Sequence, residues 1–153
     1  MPLDIDGVTE LISCISTSDA PAVIGPYSQA IQVGNLLFVS GQLPIDPGTG
    51  EFNSPDAVQQ AGQCLRNLAA IANAAGSDLS HTVKTTVLLT NLSDFADVNR
   101  VYAEFFSAPY PARACYEVKA LPKGAKVEIE AVIALKQSAR DPDSYKRRAE
   151  NND

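Results

Sequence analysis

The chain has 153 residues, 45% of them hydrophobic and 20% charged, which is the size and balance of one globular domain. Its net charge of −6 makes nucleic acid an unlikely general partner, since such binding needs a basic surface to displace counterions from phosphates; a local basic pocket for a small anion stays open. Cys14, Cys64 and Cys115 form no CxxC pair and find no usual zinc spacing with the single His81, so reduced thiols in a cytoplasmic protein without metal are expected.

"MPLDIDGVTELISC" carries three acids and neither Arg nor Lys, so it reads as neither a secretory signal nor a transit peptide. No stretch reaches the roughly 18 apolar residues of a membrane span. Residues 1–19 lack a clear period and are read as an extension, partly ordered at most; residues 20–136 form the domain. "SQAIQVGNLLFVSGQ" gives two strands around the turn dipeptide Gly34-Asn35, the first hairpin. After the loop "PIDPGTGE", Ser54-Pro55-Asp56 reads as a helix start, with the Ser54 hydroxyl as cap and Pro55 at the first helical position. Val58, Ala61, Leu65, Leu68, Ala69 and Ala72 then recur at helical spacing up to a capping Gly76, a helix of about five turns.

"TVKTTVLLT" is short and β-branched enough to be a buried strand. Ser93 is expected to cap a second helix with a stripe of Phe95, Val98, Tyr102 and Phe105 or Phe106, ended by the prolines of "SAPYPA". "PARACYEVKALPKGAKVEIEA" follows as two strands joined by a turn, and residues 137–153 form a charged polar tail with almost nothing to bury. Hairpin, helix, strand, helix, hairpin implies an α+β fold: a mixed sheet with both helices on one face. "LLFVS" and "TTVLL" are apolar on both parities, so the other face calls for burial against another copy, a homo-oligomer.

The chemistry concentrates in the last two strands. Side chains alternate along a strand, so Arg113, Cys115 and Glu117 share one face, and Glu128, Glu130 and Val132 share one face of theirs. With the turn at "LPKGA" the two strands become neighbours, and a register pairing Glu117 with Glu128 would put Arg113 and the glutamates on one side; the pattern leaves that register open. A guanidinium on such a strand either pairs with a glutamate of its own chain or awaits a ligand's carboxylate, whose geometry its fork of donors matches. Cys115 reads first as a small half-buried hydrophobe, and His81 as a surface residue before a strand. In "IGPYSQA", Gly25-Pro26 forces a bend that presents Tyr27; in "VSGQ", Gly41 lets backbone approach a ligand closely.

Together, "APAVIGPYSQAIQVGNLLFVSGQLPIDPGTGE", "VKTTVLLTNLSDFADVN" and "YPARACYEVKALPKGAKVEIEAVIAL" resemble the reactive intermediate deaminase family (RidA, YjgF, L-PSP) from about Ala20 to Leu135. The resemblance implies a chorismate-mutase-like fold assembled as a homotrimer with clefts between subunits. It implies hydrolysis of 2-imino or enamine acids, such as 2-iminopropanoate and 2-iminobutanoate, to 2-keto acids and ammonia without a cofactor. It maps the carboxylate-binding arginine to Arg113 and the water-positioning glutamate to Glu128. It maps cleft-lining positions to Tyr27, Ser40, Gly41 and Asn99, and a backbone contact to Cys115. Two features depart from the family pattern: "FFSAPYPAR" is shorter, which bears on substrate range, and the polar tail runs past the family's usual end. Alternatives to the deaminase are a non-catalytic carboxylate-binding or chaperone-like trimer, and an endoribonuclease or translation inhibitor.

Overall fold

The structure, a computed structural model, describes residues 11–136. The polar tail expected at 137–153 and the first ten residues of the expected extension lie outside them. Eight main elements follow in chain order: β1 (Ile12–Ile15), β2 (Ala30–Val33), β3 (Leu36–Gln42), α1 (Ala57–Ala74), β4 (Thr82–Leu89), α2 (Phe95–Phe105), β5 (Ala112–Glu117) and β6 (Val127–Ala134).

The β2–β3 hairpin turns at Gly34-Asn35 as the dipeptide predicts, pairing Gln32 with Leu37. β1, inside the stretch read as an extension, adds an antiparallel strand outside β2 with Cys14 opposite Ile31. Its four residues are too few, and too exposed, to leave a period in the sequence.

Both helix starts fall beyond the expected residue. Asp56 caps α1, its carboxylate accepting from the Gln59 N–H at 3.1 Å, while Ser54 Oγ accepts from the Asp56 N–H at 3.0 Å. The acid is preferred at the positive end of the helix, which leaves Pro55 outside it. Ser93 lies in a 3₁₀ turn, Leu92–Asp94, because Asn91 Oδ1 takes both its N–H (3.0 Å) and its hydroxyl (2.7 Å); α2 starts after that turn. Gly76, at φ +78°, takes up the left-handed geometry that ends α1.

The strands lie in the order β1-β2-β3-β6-β4-β5, all neighbours antiparallel except β4 and β5. β5 and β6 therefore do not pair: β4 lies between them, with Leu88 opposite both Tyr116 and Glu128. This overturns the expected second hairpin, and the register left open by the sequence, which would have paired Glu117 with Glu128, does not form. The 3₁₀ turn Pro122–Gly124 lies in the connection, and α2 makes the crossover that two parallel strands need.

One sheet face carries Leu37, Val39, Val87, Leu89, Val127, Ile129 and Ile133, all buried with Ala61, Leu65, Leu68 and Ile71 of α1. Both helices pack on that face, as expected. The other face presents Phe38, 45% exposed, and Tyr116, 57% exposed, beside Ile12, Val33 and Leu36. No helix among the described residues is long and apolar enough to cross a membrane.

Between α1 and the loop after β3 lies a polar joint. Asn67, fully buried, donates to the carbonyls of Leu43 and Ile45 at 3.1 and 2.9 Å and accepts from Gln63 Nε2 at 2.9 Å. Asn67→Ala strands two carbonyls in a dry site and should lower unfolding free energy by about 2 kcal/mol, measured by urea denaturation.

Candidate active site

Glu128 projects from β6 onto the open face, where β3 is disturbed: the β3–β6 register shifts between Val39 and Gln42, across Ser40 and Gly41. A Cβ on Gly41 would collide with Glu128 Oε1 and stand 3.0 Å from its Cδ. Gly41 is thus required for the place of the glutamate within the chain, a reason distinct from the ligand approach expected of it. Ser40 Oγ donates to the Ser28 carbonyl, tying β3 to the segment that carries Tyr27. Buried Gln29 holds that segment, donating to the carbonyls of Thr17 (3.0 Å) and Pro21 (2.9 Å) and accepting from the Thr17 N–H (2.7 Å). The result is a cavity of about 500 Å³ whose wall includes Ile24, Tyr27, Ser40, Gly41, Lys123 and Glu128. Desolvation pushes the Glu128 carboxyl above the usual carboxylate range, and the charge of Glu130 on the same face adds to the shift.

Arg113 stands on the other face. It is opposite Thr85, which is opposite Ala131; Thr85 and Ala131 are both buried under the helices. Arg113 Nη1 donates to Asn99 Oδ1 of α2 at 2.7 Å. Its guanidinium carbon lies 4.7 Å from the Tyr102 ring centre and 5.4 Å from that of Phe95. Cys115, two residues along, is free and half-buried; burial pushes its thiol up, against the pull of Arg113, so it is not set up as a thiolate nucleophile. Among the described residues neither Arg113 nor Glu128 is in an ion pair, which removes the cross-strand salt bridge as the reason for Arg113.

The expected site residues therefore fall into two groups. Arg113, Asn99 and Cys115 come together on the helix face; Tyr27, Ser40, Gly41 and Glu128 come together on the open face. One chain does not unite them, and the register that would have put Arg113 and the glutamates on one side does not form. Phe95 and Tyr102 were read only as an apolar stripe, and aromatic residues at helical spacing give no sign that they face a cation. Gln29 was quoted within "IGPYSQA" but carries no signal of burial. Lys123 was unremarked; its φ of +57° is a backbone property that the sequence hides.

The architecture is an α+β domain in which Arg113 and Glu128, neither in an ion pair among the described residues, stand on opposite faces of the sheet. The model of the family described as endoribonuclease L-PSP matches residues 17–135, and the chain belongs to that family, which includes RidA and YjgF. It is 79% identical over 125 residues to the RutC family protein y4sK of Sinorhizobium fredii, covering 82% of this chain and 99% of that protein. It is 51% identical over 118 residues to the 2-iminobutanoate/2-iminopropanoate deaminase of Mus musculus, covering 77% of this chain and 87% of the mouse protein. The crystal structure of RidA from Psychrobacter sp. PAMC 21119 superposes with a TM-score of 0.78 at 49% identity, over 80% of this chain and 99% of that one.

The raised Glu128 pKa has a sign that can be tested. The folded chain holds a proton that the unfolded chain has released, so stability falls as pH rises from the unfolded carboxylate pKa through the raised folded one. For the chain with no second copy against its open face, Glu128→Gln should therefore melt at a higher temperature than the wild type at pH 7, and the two melting curves should converge below a pH of about 4. Thermal scans across that range read the difference directly.

Proposed function

We propose that the chain is a hydrolase of 2-imino acids and their enamine tautomers, with 2-iminopropanoate and 2-iminobutanoate as substrates. It works as a homotrimer whose sites form between copies, Arg113 of one copy facing Glu128 of the next. The observation that carries this reading is that Arg113, with Asn99 and two rings around its guanidinium, and Glu128, in the cleft opened at Gly41, stand on opposite sheet faces outside any ion pair among the described residues. Relatives at about 50% identity named for this activity support it.

Arg113 would take the substrate carboxylate through its fork of donors, fixing the adjacent C=N carbon. Protonation of the imine nitrogen makes that carbon electrophilic. Water held by Glu128 attacks it; the C–O bond forms, the C=N π pair moves to nitrogen, and Glu128 takes the proton. Glu128 then returns a proton to nitrogen, the C–N bond breaks, and the hydroxyl oxygen closes the keto group as its proton leaves. Iminium acid and water give keto acid and ammonium, with charge balanced. A carboxyl held above its ordinary pKa suits both halves of that exchange.

The decay of 2-iminobutanoate generated by threonine dehydratase, followed by semicarbazide trapping, tests the assignment. Arg113→Ala and Glu128→Ala should each lose activity by roughly a hundredfold or more. Co-refolding the two inactive variants in equal amounts should restore about a quarter of the sites, because a site needs one intact residue from each of two copies. A site within one chain would recover nothing.

Gly41→Ala should cut turnover by at least about tenfold while unfolding close to wild type, because the flexible Glu128 carboxylate can swing aside while the backbone stays. Wild-type turnover in that variant would contradict the role of Glu128.

A further inference from the structure

α2 presents Phe95, Asn99 and Tyr102 at i, i+4 and i+7, so the three side chains lie along one helical face. All three reach Arg113. Both rings lie within the ~6 Å over which an aromatic face attracts a guanidinium. Tyr102 is only 5% exposed and is itself anchored. Its hydroxyl shares a 2.7 Å hydrogen bond with Thr85 Oγ1, and its ring stacks on Phe106 with centres 4.6 Å apart. Thr85 is also the residue opposite Arg113 in the β4–β5 ladder. The ring beneath the guanidinium is therefore pinned to the backbone rung from which the arginine springs, and the contacts close into a loop.

An exposed arginine on an edge strand has many rotamers, and bidentate binding of a carboxylate succeeds only in those that bring the guanidinium plane into line. Among the described residues Arg113 donates only to Asn99, through Nη1, which leaves donors for an incoming anion. We propose that Tyr102, assisted by Phe95, is a positioning residue for Arg113. The aromatic shelf carries the flat face of the guanidinium while Asn99 holds one edge, so the remaining donors meet the substrate carboxylate already aligned. This rests on the reading of Arg113 as the carboxylate anchor.

The test uses the full chain, 2-oxobutanoate as the carboxylate probe in calorimetry, and the imine assay for KM and kcat. Tyr102→Leu should weaken 2-oxobutanoate binding and raise KM by roughly tenfold, with kcat within about twofold of wild type. Tyr102→Phe, which keeps the ring and loses the tether to Thr85, should recover most of the loss. In an Arg113→Ala background, Tyr102→Leu should cause no further weakening, because the ring would have nothing left to position.

A Tyr102→Leu variant that only melts earlier, with KM and binding as in wild type, overturns the shelf. So does an equal loss with and without Arg113. Should Tyr102→Leu not fold, Phe95→Leu at its more exposed position carries the test: a roughly threefold weakening supports the shelf, and no change overturns it. Wild-type binding by Arg113→Ala would instead remove the carboxylate anchor itself, an outcome separate from failure of the shelf alone.

Discussion

Strand residues alternate between the faces of a sheet, and β4 lies between β5 and β6. These two constraints decide the rest. Arg113 reaches Glu128 only through two ladders, and the count along them places one under the helices and the other on the open face. No side-chain rotation carries a group through a sheet. A reaction that uses Arg113 and Glu128 together, as proposed, would run where two copies meet. The open face with its exposed Phe38 and Tyr116 is the surface such a meeting would cover.

The two groups of residues are held by different means. Arg113 lies in a local arrangement of strand rung, helix face and aromatic rings, in which Tyr102 is itself fixed by hydrogen bonding to Thr85 and packing on Phe106. Glu128 is placed by removal: Gly41 lacks the Cβ that would displace it, and the β3 irregularity opens the space. Around that space the cleft wall is secured from behind. Gln29 pins the segment bearing Tyr27, and Asn67 pins the loop bearing Leu43 and Ile45. Each is a buried amide whose donors reach backbone carbonyls outside its own element, which is how irregular segments acquire a single conformation.

What could be read from the sequence follows from how local each signal is. The five turns of α1, the Gly34-Asn35 hairpin and the strand Thr82–Leu89 rest on periods and turn chemistry contained within a few residues, and they appear where expected. The caps moved by one or two positions because neighbouring oxygens divide the N–H groups between them: Ser54 takes the Asp56 N–H and Asp56 that of Gln59, while Asn91 holds Ser93 in the preceding turn, and such a division cannot be ranked without coordinates. The pairing of β5 was misread because its nearest strand in sequence is β6. A parallel partner across α2 leaves no turn signature, whereas "LPKGA" imitates one. For the site, the residues quoted in the family motifs were legible as positions; which of them stand together was not, since that depends on strand order. Phe95 and Tyr102 stayed hidden because a cation shelf and a core stripe have the same spacing.

On the proposed reading, the placing of Glu128 favours a hydrolase over a passive binder. A half-buried carboxylate with its pKa raised by desolvation and by Glu130, in no ion pair among the described residues, opposes folding at neutral pH. A trimer that merely held a small carboxylate would need Arg113 and its aromatic support; a second negative charge facing the ligand would weaken that binding. The same glutamate is useful to a hydrolase, because the desolvation that destabilises it makes it a stronger base toward water and a proton donor to departing nitrogen. Local rules of stability are broken here, with Gly41 cleared to permit it. Breaches of that kind are characteristic of sites kept for chemistry.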